Sequence, residues 1–354
     1  MPTPLLIGNL AFREMDNIDE YERLMSQSRR LVIVTHHTPD ADALGASLAL
    51  AQYLRKKQHH VTVISPSVYP AFLKWMDKDQ EILIYNPNAQ EACVQVLQEA
   101  DLIFLLDFST FDRLQGFRTL VENATAPLFV VDHHQNPEIN ADFWVWDVKA
   151  CSTCELIYQF IEDRGDIEYI DVQMGEYLYS GIVTDTASFK RASTTRNAHL
   201  ITARLMDLGV CTNRVQRLIY DNFSEERLHF IGHILKDKLH VLPEYHASYF
   251  VITSQELEEY HTQLGDTEGL VDYALSVKDT IVAGIFIEKQ DCIKVSLRSA
   301  GNFAVNQIAR QYFNGGGHLN SAAGSIDIPL AKAEEAFLKA LLQHKNELQN
   351  LVLC

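Results

Sequence analysis

Four short motifs rich in aspartate and histidine constrain this chain more than any other feature of its sequence. HHTPDAD (36–42) follows the apolar run LVIV (31–34), and LLD (105–107) and VDHH (131–134) each end a run of the same kind. GIVTDT occupies residues 181–186. Apolar, β-branched runs of this length are typical of buried strands. The pattern therefore predicts one edge of a sheet at which metal ligands gather.

Composition excludes some classes of function. The chain has 354 residues, which is enough for two domains, and 47% of them are hydrophobic, as in ordinary globular proteins. Its formal net charge is −17. Such a charge disfavours non-specific binding of long duplex DNA through phosphates. A small anionic substrate remains possible where metal ions and a few local basic groups reverse the field.

The sequence offers no sign of export or membrane insertion. The N-terminus (MPTPLLIG) lacks a cationic segment followed by a long apolar core, and no apolar run approaches the roughly 20 residues of a membrane span. Six scattered cysteines include a CxxC at 151–154, which could be a redox or zinc pair. A helix start with Ser152 or Thr153 as the N-cap explains it better, since nothing completes a zinc site. We therefore expect a reducing, cytoplasmic setting.

The first half of the chain alternates strands and helices. Strand patterns cover residues 31–35, 61–65, 102–107 and 128–132, and apolar residues at helical spacing predict a helix over 40–57. This order predicts an α/β fold with a mainly parallel sheet and helices on both faces. In such sheets ligands bind beyond the carboxyl ends of the strands. His36, Asp107 and Asp132 all occupy those ends.

The rest of the chain predicts a smaller second domain. Residues 155–235 are mostly helical in pattern, and a helix over 224–238 falls within the expected connection. Strands at 249–253, 280–288 and 292–298 and helices at 255–264, 304–312 and 331–348 follow. We expect a metal-binding domain at 1–222, a helical connection at 223–243, and an α/β domain with a mixed sheet at 244–354.

The residue types at the sheet edge fit two divalent ions. Such ions lie roughly 3.5–4 Å apart and need a bridging carboxylate with flanking histidine and aspartate ligands. Asp107 is the natural bridge because its strand is central, and Asp40 and Asp42 can serve neighbouring ions. The mixed imidazole and carboxylate set suits manganese, iron or zinc better than calcium, and Mn²⁺ is the leading candidate. The predicted metal ligands are His36, Asp40, Asp42, Asp107, His133 and Asp185.

A glycine-rich segment in the second half predicts an anion site. Gly315, Gly316 and Gly317 precede His318, and glycines let a backbone approach an anion closely. Nearby in the predicted fold, SLRS (296–299) ends a strand, and the guanidinium of Arg298 matches phosphate geometry. A flexible turn is the alternative explanation for the glycines alone. The predicted substrate-binding residues are Ser296, Arg298, Ser299, Gly315, Gly316, Gly317 and His318.

With these motifs, the chain resembles the DHH phosphoesterase superfamily over residues of about 20 to 345, and most of all its oligoribonuclease/pAp phosphatase group. The resemblance implies one ion held by His36, Asp40 and Asp107, and a second by Asp42, Asp107, His133 and Asp185. It implies that Asp132 orients the imidazole of His133 and that His134 faces the substrate. It also implies that SxRS and the GGGH loop bind the nucleotide, although Asn314 stands where the family usually has another glycine.

We therefore expect a phosphoester hydrolase for short oligoribonucleotides or 3′-phosphoadenosine-5′-phosphate (pAp). His134, Asp132, Arg298 and His318 are the expected catalytic groups beside the metal ligands. Cyclic di-AMP and polyphosphate remain alternative substrates, and a catalytically silent metal- or nucleotide-binding regulator remains an alternative class. Size and helix content suggest a homodimer.

Overall fold

A computed structural model describes residues 18–351 of the chain in two compact units, 1–222 and 223–354. The N-terminal octapeptide considered above and Cys354 lie outside the described residues. The segment expected to connect two domains belongs to the second unit, since its helix and strand pack there. Each unit is built on its own sheet.

The first unit contains a parallel sheet of six strands in the order β3-β2-β1-β4-β5-β6. The strands are β1 (Arg30–Val34), β2 (His60–Ser65), β3 (Ile82–Ile84), β4 (Leu102–Leu106), β5 (Leu128–Asp132) and β6 (Phe143–Trp146). The order reverses between β1 and β4, so a crevice opens beyond their carboxyl ends. His36 and Asp107 follow those two strands.

Helices cover both faces of this sheet, as predicted. They are α1 (Ile18–Met25), α2 (Ala41–Lys56), α3 (Glu91–Gln98), α4 (Arg118–Glu122), α5 (Thr153–Asp163), α6 (Val172–Asp185), α7 (Arg196–Asp207) and α8 (Thr212–Tyr220). Leu31 and Ile33 face one apolar core, and Val32 and Val34 face another. This alternation follows from the two-residue period of a strand and explains why the runs are apolar throughout.

Helices α2 and α6 approach each other closely at Gly181. A Cβ atom there would lie 2.3 Å from Oδ1 of Asp42 and 2.4 Å from Sγ of Cys154. Both distances are far inside van der Waals contact. Glycine at this position therefore lets α6 pack against the start of α2 and brings Asp185, at the end of α6, to the same edge of the sheet as Asp42.

The second unit has a mixed sheet in the order β11-β12-β10-β9-β8-β7. The strands are β7 (Leu239–Leu242), β8 (Ala247–Ile252), β9 (Val282–Glu288), β10 (Ile293–Ser299), β11 (Gly316–His318) and β12 (Ser321–Ile326). Only the β8–β9 pair among them is parallel. The helices are α9 (Glu225–Asp237), α10 (Ser254–Glu259), α11 (Leu270–Leu275), α12 (Val305–Tyr312), α13 (Leu330–Gln343) and α14 (Lys345–Asn350). The single helix predicted over 331–348 is thus two helices that meet at His344.

A partly buried carboxylate joins α9 and α10 in the second unit. Glu256 accepts hydrogen bonds from the Thr253 N–H at 2.9 Å and from the Lys238 ammonium at 2.8 Å, and it pairs with His233 at 3.0 Å. Burial alone would raise its pKa, but these partners lower the pKa to about 2. Among residues 18–351, no helix is both long and apolar enough to cross a bilayer.

Gly181→Ala is expected to destabilise the first unit by about 1–3 kcal/mol, because the added methyl group overlaps Asp42 and Cys154. Gly232→Ala is the matched control, since a Cβ atom at that helical position meets nothing within 4 Å. We expect the control to be neutral or up to about 1 kcal/mol more stable. Urea unfolding of both metal-free proteins measures the difference, and equal stabilities would contradict the packing argument.

Glu256→Gln is expected to cost stability near neutral pH, by about 1.5–3 kcal/mol for lost charge-assisted hydrogen bonds. The folded pKa lies below the ordinary value, so the carboxylate stabilises the fold above about pH 4.5. That contribution disappears as the pH falls towards the folded pKa of about 2. Calorimetry at pH 7 and pH 3 should therefore show a smaller difference at pH 3. The exposed Glu225→Gln protein is the control, and a pH-independent difference would refute the assignment.

Candidate metal centre and substrate clamp

Asp107 lies at the centre of the first unit's ligand cluster. It directly follows β4, and its N–H donates to the carbonyl of Val131 on β5 at 3.0 Å. Its φ of 68° lies in the left-handed region, which aspartate and asparagine tolerate better than most residues. Its carboxylate is a member of three groups of potential ligands whose atoms lie within 4.8 Å of one another, namely His36/Asp40/Asp107, Asp42/Asp107/His133 and Asp107/Asp132/His134.

The buried imidazole of His36 presents Nε2 to this cluster. Nδ1 lies 2.9 Å from the carbonyl oxygen of His37, which can only accept, so Nδ1 carries the proton. Nε2 then has a lone pair and lies 3.5 Å from Oδ2 of Asp107 and 4.0 Å from Oδ1 of Asp40. It has no hydrogen-bond partner among the described residues. A buried lone pair aimed between two carboxylates is the arrangement that a metal ion satisfies.

His133 repeats this arrangement on the other side of Asp107. Its Nδ1 lies 3.3 Å from the carbonyl of Ala150, which again places the proton there. Its Nε2 lies 3.5 Å from Oδ1 of Asp107, 3.8 Å from Asp42 and 3.4 Å from Asp185. The structure thus brings together all six predicted metal ligands, in the two sets that the family resemblance implies.

Helix α2 supplies the remaining pair of carboxylates. Asp40 is its N-cap, and Oδ1 accepts from the N–H groups of Asp42 and Ala43 at 3.0 and 3.1 Å. Asp42 is fully buried and accepts from the N–H groups of Thr153 and Cys154 at 2.6 and 2.9 Å. Asp40 therefore has both the capping role and a position beside His36, whereas Asp42 faces the second set.

The expectation that Asp132 orients the imidazole of His133 was wrong. Its Oδ1 lies 2.7 Å from Nδ1 of His134, whereas Nδ1 of His133 faces the Ala150 carbonyl. The backbone turn after β5 causes this, because the N–H of His134 also faces the same carboxylate oxygen, at 3.2 Å. Asp132 therefore orients His134, the less buried of the two rings.

Crowded negative charge dominates the electrostatics of the cluster. Burial and the charges of Asp107 and Asp185 raise the pKa of Asp42 well above its usual range, and burial raises the pKa of Asp185 to about 6. Burial would also lower the pKa of His133, but the carboxylates of Asp107, Asp185 and Asp42 raise it well above the usual value. Bound cations would relieve this repulsion.

The donor set therefore fits divalent metal. It combines imidazole nitrogens with lone pairs directed inward and carboxylates that share one central group, as divalent transition-metal sites require. The nearby CxxC does not add a site. Cys151 and Cys154 are buried, burial raises the pKa of both thiols, and Ser152 is the N-cap of α5, as the simpler interpretation predicts.

In the second unit, the register of the sheet places the predicted substrate-binding residues, which together are called the clamp. Arg298 pairs with Ser321 across β10–β12, and Ser321 pairs with His318 across β12–β11. Directly paired residues share a face, so Arg298 and His318 lie on the same face of the sheet. Ser296 joins them because it lies two residues before Arg298. The guanidinium Nε of Arg298 lies 3.6 Å from Asp272.

The GGGH segment is a short strand rather than a loop. Gly317 has a φ of 131°, and a Cβ atom there would lie 2.5 Å from the carbonyl oxygen of Ser321. Asn314 has a φ of 46°, in the left-handed region that asparagine tolerates better than most residues. Ser299 lies on the opposite face, where its buried hydroxyl donates to the Phe303 carbonyl at 2.6 Å. That hydroxyl therefore makes a hydrogen bond within the fold and does not lie on the face that carries Arg298 and His318.

Sequence reasoning missed two polar residues at the centre. The Thr153 hydroxyl donates to Oδ1 of Asp107 at 2.7 Å, and the buried Glu155 carboxylate accepts from the Cys151 N–H at 2.8 Å. An N-cap followed by a glutamate is a known helix-start signal. That signal agrees with the helix start predicted at Ser152, but it does not reveal the contact of Thr153 with Asp107, which lies 46 positions away.

Comparisons with known proteins agree with this geometry. Residues 30–182 match the DHH family N-terminal domain, and residues 248–347 match the DHHA1 domain. The fold matches an exopolyphosphatase-related protein from Bacteroides fragilis with a TM-score of 0.87 and 32% identity, covering 95% of this chain and 98% of that one.

Two proteins to which this chain is similar are named as enzymes. The bifunctional oligoribonuclease and PAP phosphatase NrnA of Bacillus subtilis is 26% identical, with 87% of this chain and 92% of that protein covered. The cyclic-di-AMP phosphodiesterase PdeA of Listeria monocytogenes is 26% identical over 90% of this chain, which spans about half (48%) of that protein. The chain therefore belongs to the DHH superfamily of phosphoesterases, in which it is similar to the NrnA group.

Proposed function

We propose that this chain is a divalent-metal-dependent hydrolase of short oligoribonucleotides such as pApA and of pAp. The observation that carries the proposal is the buried cluster around Asp107, with its inward-facing imidazoles of His36 and His133. The similarity to NrnA proteins over most of the chain supports this substrate class. The proposed ions are two Mn²⁺, one for each ligand set.

Metal ions bound in these sets would lower the pKa of a coordinated water and neutralise charge on the phosphoryl oxygens. The chain's own contribution is orientation. Asp107 faces both sets, and Asp132 holds His134 with Nδ1 protonated. In its imidazolium form, with Nε2 also protonated, the partly exposed His134 can hold a phosphate oxygen or supply the Nε2 proton to the leaving oxygen.

The second unit would bind the nucleotide. Arg298 and His318 on one face of the sheet provide a planar guanidinium and an imidazole for phosphate oxygens, with Ser296 beside them. Local positive charge of this kind offsets the net charge of −17 for a small anionic substrate. Long duplex DNA is not an expected partner. A homodimer and a cytoplasmic location stay predictions.

Cyclic di-AMP is a second candidate substrate, because PdeA matches both domains at the same identity as NrnA. The metal cluster serves either phosphodiester equally well, since the scissile bond is the same in kind. Substrate choice therefore rests on the nucleotide-binding residues of the second unit rather than on the ligands around Asp107.

With Mn²⁺, the protein is expected to release mononucleotide from pApA and a five-residue RNA, and phosphate from pAp. Asp107→Asn should lower all three rates by at least roughly 100-fold, because even residues behind metal ligands cost 10–100-fold. Asparagine accepts the left-handed backbone of this position, so the variant tests charge rather than strain. Asp112→Asn, at an aspartate whose side chain is 81% exposed, is the matched control and should keep full activity.

Other outcomes of this assay have definite meanings. Hydrolysis of cyclic di-AMP or tripolyphosphate alone would keep the metal centre and overturn the substrate. No turnover of any substrate by a protein that still binds Mn²⁺ would favour a regulatory protein. Equal activity of the Asp107→Asn protein would remove Asp107 from the centre of the mechanism.

Arg298→Gln is expected to raise KM for pAp about tenfold or more, corresponding to about 1.4 kcal/mol of lost phosphate binding. The metal affinity should not change, because Arg298 is not one of the six predicted metal ligands. Lys294→Gln, at an exposed cation on the same strand, is the control. Initial-rate kinetics separate KM from kcat, and an unaltered KM would exclude Arg298 from the clamp.

A further inference from the structure

The N-terminus of α5 contacts two of the buried carboxylates at once. The N–H groups of Thr153 and Cys154 donate to opposite oxygens of Asp42, at 2.6 and 2.9 Å. The hydroxyl of Thr153 donates to Oδ1 of Asp107 at 2.7 Å. Thr153, Asp42 and Asp107 are all buried, so these bonds form where water does not compete.

The Thr153 hydroxyl fixes the rotation of the Asp107 carboxylate. The oxygen that accepts from Thr153 is the one that lies 3.5 Å from Nε2 of His133. The other oxygen, Oδ2, lies 3.5 Å from Nε2 of His36. A rotation of the carboxylate about its Cβ–Cγ bond would break the Thr153 bond and turn both oxygens away from the two imidazoles.

Thr153 is itself held by a buried anchor behind it. The Ser152 side chain accepts from the Glu155 N–H at 3.0 Å, which fixes the first turn of α5. The Glu155 carboxylate accepts from the Cys151 N–H at 2.8 Å and from the Thr195 hydroxyl at 3.0 Å. Thr195 is in turn the N-cap of α7, so the start of α5 is tied to a second helix.

We propose that Thr153 is a positioning residue for the metal centre, which holds the Asp107 carboxylate with one oxygen towards His133 and the other towards His36, in the two ligand sets that would bind divalent cations. The N–H groups at the same helix start hold Asp42 for the second ligand set, and Glu155 anchors this arrangement. The inference rests on the proposed function only in that divalent cations bind at Asp107. It does not depend on which phosphoester is hydrolysed.

A purely structural role for Thr153 makes a different prediction. A buried hydroxyl that only satisfies a neighbouring carboxylate would change the stability of the metal-free protein and leave the affinity for metal unaltered. A positioning role changes that affinity, because a carboxylate free to rotate must be ordered when the cation binds. Metal affinity is therefore the measurement that separates the two roles.

The test compares three full-length proteins by calorimetric titration of the metal-free form with Mn²⁺. Thr153→Val removes the hydroxyl at nearly constant volume and should weaken Mn²⁺ binding about 10–100-fold. Thr153→Ser keeps the hydroxyl and should stay within about threefold of the parent. Thr202→Val is the control, because the Thr202 hydroxyl donates to the Ala198 carbonyl within its own helix.

The outcomes keep this inference distinct from the proposed function. Parental affinity in Thr153→Val would overturn the positioning role while leaving the metal centre in place. A parent protein that binds no Mn²⁺ would overturn the proposed metal dependence itself. If Thr153→Val does not fold, Thr153→Ala removes the hydroxyl without placing a methyl group beside the carboxylate, and it is read by the same criteria. Comparison of kcat among the proteins that fold gives a second readout.

Discussion

The mutual repulsion of the carboxylates that surround the buried Asp107 is the constraint on which the first unit depends. Asp40, Asp42, Asp107 and Asp185 meet at one edge of the sheet, and three of them are reached from helices whose packing must tolerate their charge. Two imidazoles and the first N–H groups of α5 offset part of that charge. Bound divalent cations would neutralise the remaining negative charge. They would thereby offset the free energy that it costs to bring these carboxylates together.

The topology of the sheet places the ligand residues near one another, and the local backbone geometry sets the directions in which they point. Reversal of strand order between β1 and β4 brings His36 and Asp107 to one crevice without any special residue. The left-handed φ of Asp107 and the close approach of α6 at Gly181 are local departures from regular geometry. Departures of this kind are typical of functional sites, where the surrounding structure holds a conformation that the sequence alone does not favour.

The sequence predicted the parts of the molecule that depend on local pattern. Long apolar runs marked β1, β2, β4 and β5, and ligand-rich motifs at their ends marked the metal centre. Two of the strands that were missed, β3 (Ile82–Ile84) and β6 (Phe143–Trp146), are three and four residues long, too short to show a period. The six residues of β12 (Ser321–Ile326) were missed because they are mostly serine, alanine and glycine, which are not typical of strands. The partner of Asp132 and the role of Thr153 depend on side-chain geometry, which spacing does not encode.

Features of the site that depend on local sequence pattern and features that depend on side-chain geometry are expected to respond differently when the sequence changes during evolution. Each ligand around Asp107 follows a strand or lies at the start or end of a helix, so the fold itself fixes its place. Thr153 and Glu155 act instead through hydrogen bonds whose geometry tolerates little change. If Arg298 and His318 bind the nucleotide as proposed, a change of substrate can arise on their sheet face, which belongs to a different sheet from the strands that carry His36 and Asp107. If one sheet carries the metal ligands and another carries the substrate-binding residues, we expect relatives that act on different phosphoesters, and the names of two relatives agree with this.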